Sequence, residues 1–382
     1  MPDPSGARRH HSSALPLAWL AVGVVVYASL YPFTGWRWPA GASLWELMQL
    51  PLPRQRYKFD IWANYLGYIP VAALVHAAGV RGGRRPGPWW LFAVVAMSLL
   101  SFGMELTQQF LPPRFPSRLD WAMNTAGAVA GATLSALALR LGWVDLWQHA
   151  RDRWFIHRSG GALALLLAWP LGLLFPTPMP LGLGPSWARL QDGLMDLLVD
   201  VRGAEEVLAW LEDSPPPEGQ LSALPEAMGI ALGLLGPCLL AFVVTRPGWR
   251  RVAMALGAAV LGLATTTLSA ALNFGPAHAL AWLTPVVVPA CVLALSVAGL
   301  MLRAPGPLVA VLGVATLSAS LMLVAQAPSD PYFALSLQGW EQGRFIHFHG
   351  LAQWLGWLWP VAALLWLAAH LGSLVPRGQD PG

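Results

Sequence analysis

The stretch "FDIWANYLGYIP", Phe59–Pro70, and the stretch "LDWAMNTAGAVAG", Leu119–Gly131, share one pattern. Each places an Asp, an Asn four residues on and a Gly three further: Asp60, Asn64 and Gly67, then Asp120, Asn124 and Gly127. On a helix, positions i, i+4 and i+7 share a face, so each triplet is a polar stripe at the start of an otherwise apolar helix. A greasy helix that carries an acid and an amide on one face has neighbours able to meet them, and this predicts a bundle.

Composition agrees. Only 11% of the 382 residues are charged and 56% are hydrophobic, whereas a soluble domain carries roughly 25% charged residues. Apolar runs recur near 14–33, 60–80, 88–111, 119–141, 160–176, 224–245, 252–272, 279–302, 307–325 and 350–371. Most match the roughly 20 helical residues needed to cross a bilayer. They predict an all-α, polytopic integral membrane helical bundle of about ten transmembrane helices. The fifth run is short and Pro-rich. With the N-terminus inside, Arg81, Arg84, Arg85, Arg140, Arg151, Arg153, Arg246, Arg250, Arg251 and Arg303 fall on the inner side. The positive-inside tendency then predicts that both termini are cytoplasmic. The net charge of +4 reflects these helix flanks, so no nucleic-acid partner is expected. Cys238 and Cys291 lie within apolar runs, where a free Cys behaves as a small hydrophobe. No metal-ligand spacing occurs, and no metal or cofactor is expected.

Residues 14–143 read as a four-helix membrane domain, 144–159 as a cytoplasmic linker, and 160–371 as a six-helix extension with an outer loop at 177–222. Within that loop Trp187, Leu190, Leu194, Leu197, Leu198 and Val201 recur at helical spacing, with Asp192, Asp196 and Asp200 elsewhere around the helix. This predicts a surface helix packed on the protein's own outer loops. Trp354, Trp357 and Trp359 read as interfacial anchors, and Asn273 and His278 as turn residues. His347 and His349 lack a third ligand nearby.

The third run carries Ser98, Ser101, Glu105 and Gln108 on one face. Glu105 stands about 26 Å along the helix from Pro88, level with Asn64 and Asn124. An acid at the bilayer centre costs about 2.5–3.5 kcal/mol and usually faces the bundle interior. Asp60 and Asp120 can serve as helix N-terminal caps. Glu105 lies at a helix C-terminal end, where the dipole opposes it, so it needs a partner. Arg114 and Arg118 in "LPPRFPSRLD" are candidates, as are Arg54, Arg56 and Lys58 before Asp60. The expected polar pocket comprises Asp60, Asn64, Glu105, Gln108, Arg114, Arg118, Asp120 and Asn124, with Gly67, Pro70, Gly127 and Gly131 in helix packing. A satisfied polar knot that fixes helix register is the competing reading. A transport path is disfavoured because the first four runs read as apolar below Ser98 and Gly67.

The motifs "FDIWANYLGYIP", "SFGMELTQQFLP" and "RLDWAMNTAGAVAG", with the "YPF" that closes the first run, resemble the VanZ-like family of bacterial membrane proteins. The likeness covers roughly residues 15–143. Its matching positions are Asp60, Asn64, Gly67 and Pro70, then Glu105 and Gln108, then Arg118, Asp120, Asn124 and Gly127. The resemblance implies a four-helix multi-pass domain in the bacterial cytoplasmic (inner) membrane. The family's founding member is associated with low-level teicoplanin resistance, and no agreed reaction or cofactor accompanies it. The expectation is a cell-envelope protein among membrane lipids, whose outward-facing pocket binds the headgroup of a lipid-linked envelope intermediate. A transporter or flippase, and a non-catalytic scaffold of an envelope assembly, are the alternatives. The six further runs depart from the minimal family member.

Overall fold

The computed structural model describes residues 14–31, 33, 35–39, 41, 43–52, 58–112, 114–156, 159–201, 203–214, 221–327 and 346–374. Among them the regular elements are helices: α1 (Ala14–Leu30), α2 (Leu44–Leu47), α3 (Lys58–Arg81), α4 (Pro86–Gln108), α5 (Arg118–Arg140), α6 (Trp143–Trp154), α7 (Gly160–Leu173), α8 (Trp187–Leu198), α9 (Glu205–Glu212), α10 (Ala223–Val244), α11 (Trp249–Phe274), α12 (Val287–Leu300), α13 (Gly306–Ala325) and α14 (Ile346–Leu374), with a 3-10 turn at Pro276–His278. Seven are long and apolar enough to cross a membrane, and Leu17–Leu30, Gly160–Leu173 and Val287–Leu300 are shorter apolar helices. Helices are the form such runs must take in lipid, where every backbone polar group is satisfied within the segment. The run expected at 279–302 becomes helical only at Val287. Pro285 disfavours the helical region for Thr284, and the preceding residues form turns. The chain divides into two compact units, Met1–His149 and Ala150–Gly382. The division falls within α6, so much of the segment read as a linker is helical.

In the first unit α3 packs on α5, α4 lies beside both, and α1 leans on α3 and α4. Tyr68, Val71, Ala72, Met97 and Ala128 form a core where these helices meet. Gly127 and Gly131 set the α3–α5 approach: a Cβ on either would stand 2.1 Å from the carbonyl oxygen of Tyr65 or Ile69. Small residues permit such backbone proximity between membrane helices. Gly67 has no neighbour within 4 Å of a Cβ position, and Pro70 is exposed within α3. Neither makes the packing contact expected of it.

In the second unit α10 is the central helix. It is apolar all round, and such a helix belongs in a core. Its residues from Gly229 to Val244 are nearly all buried, with α7, α11, α12 and α13 packed on it and α14 on α7 and α13. The 14 residues of α7 rise only about 21 Å. Irregular backbone continues inward from it: Met179, Leu181 and Leu183 are at most 3% exposed. A Cβ at Gly233 of α10 would meet the Leu181 carbonyl oxygen at 2.5 Å, and one at Gly262 of α11 would meet the Leu181 side chain at 3.0 Å. Non-helical backbone at membrane depth persists only where protein surrounds it, and these contacts supply that surround. The fifth apolar run is therefore a short helix completed by a buried coil.

Three readings in this unit change. Asn273 is a buried α11 residue, whose amide donates to Ser269 O at 2.8 Å and to Leu174 O at 3.3 Å. It therefore satisfies carbonyls inside the bundle instead of shaping a turn. Trp359 is 4% exposed, and its indole donates to Leu165 O at 2.6 Å, so it is a core residue. The helix α8 pairs with α9: the rings of Trp187 and Trp210 meet edge-to-face at 5.9 Å, and Gln191 donates to Leu211 O. Leu190, Leu194, Leu197 and Val201 are exposed, so only the Trp187 end of the apolar stripe packs on the outer loop as expected, against α9 and Ser214 O.

Candidate functional site

The site begins at the start of α5. Ser117 has extended backbone (φ −148°, ψ 145°), and its hydroxyl accepts from the Asp120 amide at 3.1 Å. This is the N-cap that Ser provides for one of the first unpaired N–H groups of a helix. In a capping box the reciprocal bond, from the N-cap N–H, goes to an acid of the same helix. Here the acceptor comes from α4. Glu105 Oε2 takes the Ser117 N–H at 2.8 Å, and the residue is only 5% exposed. The contact answers the difficulty seen in the sequence. The dipole of α4 opposes an acid at this position, but the N-terminal end of α5 favours it.

Arg114 and Gln108 serve the other kind of helix end. Arg114 Nη2 donates to Ala28 O at 2.8 Å and also to Tyr31 O, and Gln108 Nε2 donates to Ser29 O at 2.9 Å. These carbonyls close α1, where the last C=O groups lack partners within the helix and where positive charge is favoured. Arg114 is 7% exposed. Burial pushes its guanidinium down to about 10, and the nearby Glu105 carboxylate acts in the opposite sense, so Arg114 is cationic at neutral pH. Gln109 Nε2 donates to Leu47 O at 2.6 Å and ties in α2.

Below Glu105 the polar face of α4 meets α5 in steps. Asn124 Nδ2 donates to Ser101 Oγ at 2.9 Å, and the Ser98 and Thr125 hydroxyls lie 2.9 Å apart. Trp121 donates to the Ser98 carbonyl at 3.2 Å. Tyr68 of α3 is 6% exposed, with its phenol directed at Ser101 and near Glu105. Glu105, Ser101, Asn124 and Tyr68 thus form one cluster drawn from three helices. At its rim Arg118 is exposed and Asp120 is half-buried. Asn64 is half-buried, with no hydrogen bond given among the described residues. Asp60 lies in the first turn of α3, but its side chain and that of Lys58 fall outside the described residues, as do Arg54 and Arg56. The side chains of His347 and His349 also fall outside them.

A second polar contact was missed in the sequence. His76 of α3 is 0% exposed; its Nδ1 lies 3.0 Å from Ser135 Oγ, and its Nε2 lies 3.3 Å from Pro86 O. A carbonyl only accepts, so Nε2 carries a proton. The inner part of the unit is therefore not wholly apolar, as the argument against a transport path assumed. The signal was a lone His at i+8 from Tyr68, with Ser135 at i+11 from Asn124. Both spacings continue the polar faces of α3 and α5 two to three turns further along the helix.

No group of three or more His, Cys, Asp or Glu able to hold a metal occurs among the described residues. Residues 9–140 match the model of the VanZ/LLP1 family, so the N-terminal part of the chain is similar to that family. No curated protein and no solved structure matches the chain.

Proposed function

We propose that this multi-pass membrane protein, with its VanZ-like domain at residues 9–140, acts in the bacterial cytoplasmic membrane. There it binds the polar headgroup of a lipid-linked envelope intermediate where α4 meets α5, on the outward side. The observation that carries this reading is a carboxyl group, Glu105, buried at 5% exposure against the first turn of a helix. An exposed cation, Arg118, and a half-buried acid, Asp120, stand at the rim of the same helix end. In this reading Arg118 meets phosphate, to which the guanidinium fork is matched. Asn64 and Asp120 orient the headgroup, and Glu105 supplies acid-base capacity. Protection against glycopeptides such as teicoplanin would follow from holding or altering such an intermediate.

A second reading has its own support. Arg114 and Gln108 are engaged with the α1 carbonyls, which is what a polar lock holding helix register requires. The scaffold function rests on that lock. Complementation of a deletion strain that shows envelope-drug sensitivity separates the two. Under the binding reading, Arg118→Met and Glu105→Gln are made in normal amount and melt normally, yet lose protection. If both variants protect fully, the headgroup site is refuted and the scaffold reading stands.

A further inference from the structure

Among the buried polar atoms of the described residues that meet no hydrogen-bond partner of good geometry, Tyr68 Oη and Asn124 Oδ1 belong to one cluster of the N-terminal unit. Their residues are 6% and 5% exposed, and both flank one neighbour, Ser101, which is 0% exposed: Asn124 reaches it through Nδ2, the other end of its amide, and the Tyr68 phenol lies against its hydroxyl. Turning the Asn124 amide over does not help. One end of the amide would still meet Ser101 Oγ, and the other would be left over. Within a membrane helix bundle each such group costs several kcal/mol if it is left dry. A protein that tolerates one has usually paired it with a molecule of its own, and two orphans at one point call for a shared partner.

The chemistry of the orphans defines that partner. Asn124 Oδ1 only accepts, whereas Tyr68 Oη both donates and accepts. A single hydroxyl group meets both needs: it donates to Asn124 Oδ1 and accepts from Tyr68, with Ser101 beside it. We infer that Tyr68, Ser101 and Asn124 form a buried site for one hydroxyl-sized guest, which is a water molecule in the resting protein. Buried waters typically make two to four bonds to otherwise unsatisfied groups, and the three side chains supply that number. Glu105 stands one helical turn from Ser101 on the same face of α4. The water therefore joins the carboxyl to the hydroxyl cluster and opens it to proton exchange, in a unit whose surrounding core is apolar. The site follows from the orphan atoms alone and holds whether or not a headgroup binds at the rim.

X-ray hydroxyl-radical footprinting tests this, because a water bound beside a buried aromatic is radiolysed in place and oxidises that ring. The full chain is purified in detergent, irradiated in H2(18)O and read by mass spectrometry. Phe115, 87% exposed, and Phe242, 0% exposed in the apolar core of the second unit, serve as wet and dry references. The expected result is oxidation of Tyr68 within an order of magnitude of Phe115, with 18O incorporated, while Phe242 stays unmodified. Asn124→Leu removes the acceptor and fills its space, so Tyr68 labelling falls to the level of Phe242 with Phe115 unchanged. Tyr68 as inert as Phe242 in the wild-type protein overturns the inference. So does labelling that survives Asn124→Leu unchanged, since the radical would then arrive by another route. If the variant cannot be purified, the wild-type comparison decides alone.

Discussion

Replacing Arg114 by Met probes the contact on which the outer end of the first unit depends. The change removes two hydrogen bonds from a charged donor to Ala28 O and Tyr31 O, each about 1.5–3 kcal/mol, roughly 3–6 kcal/mol together. Against this, the cation no longer has to be buried. Burial holds its guanidinium down at about 10, a cost of about 3 kcal/mol at roughly 1.4 kcal/mol per unit. The balance is a loss of about 0–3 kcal/mol. Met also leaves Glu105 buried without the cation that faces it, which raises the expected loss to about 2–4 kcal/mol, below the roughly 3–5 kcal/mol seen when a fully buried pair is broken. Glu105→Gln keeps an oxygen for the Ser117 N–H and removes the charge. In that background Arg114→Met should therefore cost about 1–2 kcal/mol less than in the wild type, a coupling typical of residues in contact. Denaturant unfolding of the four proteins in mixed micelles supplies the cycle, and hydrogen exchange along α1 locates the loss. Additivity within about 0.5 kcal/mol would show that Arg114 and Glu105 act independently, and the electrostatic half of the reasoning would fail.

Gly127→Ala places a methyl group 2.1 Å from Tyr65 O and should destabilise the first unit by more than 2 kcal/mol through overpacking, at the high end of the usual range of about 1–3 kcal/mol. Gly67→Ala meets open space and should be neutral or stabilising by up to about 1 kcal/mol from helix propensity; equal melting temperatures for the two would contradict the packing. Arg251, 2% exposed, donates to Thr245 O at 3.3 Å, to Met301 O at 2.9 Å and to Ala304 O at 2.8 Å, so Arg251→Met should unfasten the ends of α10 and α12 and lower the thermal midpoint, whereas the neighbouring Arg250→Met should change it little. Glu46 is held below the usual carboxylate range by the Ser43 N–H and then by the Ser43 hydroxyl. The cap on α2 is therefore fully present above about pH 4.3 and lost as pH falls through the lower folded value; amide exchange in α2 should accelerate there, and Glu46→Gln should abolish that pH step.

The apolar runs were legible because hydrocarbon imposes length and leaves only helices. The three polar stripes were legible because spacing along one helix fixes a shared face. What each polar residue meets was not, since that depends on which helix end lies opposite. The two triplets show the difference. In α5 Asn124 is buried and bonded to Ser101, and Gly127 touches the α3 backbone. In α3 Asn64 is half-buried, and Gly67 faces open space. Identical spacing thus produced one packed stripe and one that is not: α5 packs on both α3 and α4, whereas a Cβ at Gly67 of α3 would meet open space. Arg251 was read as a charge that orients a helix by the positive-inside tendency. Its bonds to four carbonyls are invisible to a rule that only counts charges.

Arg114 and Arg251 solve one problem in two units. A helix that stops inside or at the edge of a bundle leaves carbonyls that water does not reach, and glycine-based caps satisfy them only when the chain can turn back at once. At α1 and α12 a guanidinium with five donors reaches carbonyls at the helix end from another segment. The same logic explains Glu105, which meets a helix N-terminus with the opposite charge. Complementary ends therefore account for Glu105, Gln108 and Arg114 before any ligand is invoked. Ligand binding has to be argued from groups beyond these: the exposed Arg118 at the rim, and the two orphan oxygens of Tyr68 and Asn124 below. A residue at the rim can be lost without loosening the bundle, but one that caps cannot. The variants that bear on function are accordingly Arg118→Met and Glu105→Gln, which keeps an oxygen for the Ser117 N–H, judged against the loss of fold that Arg114→Met is expected to cause.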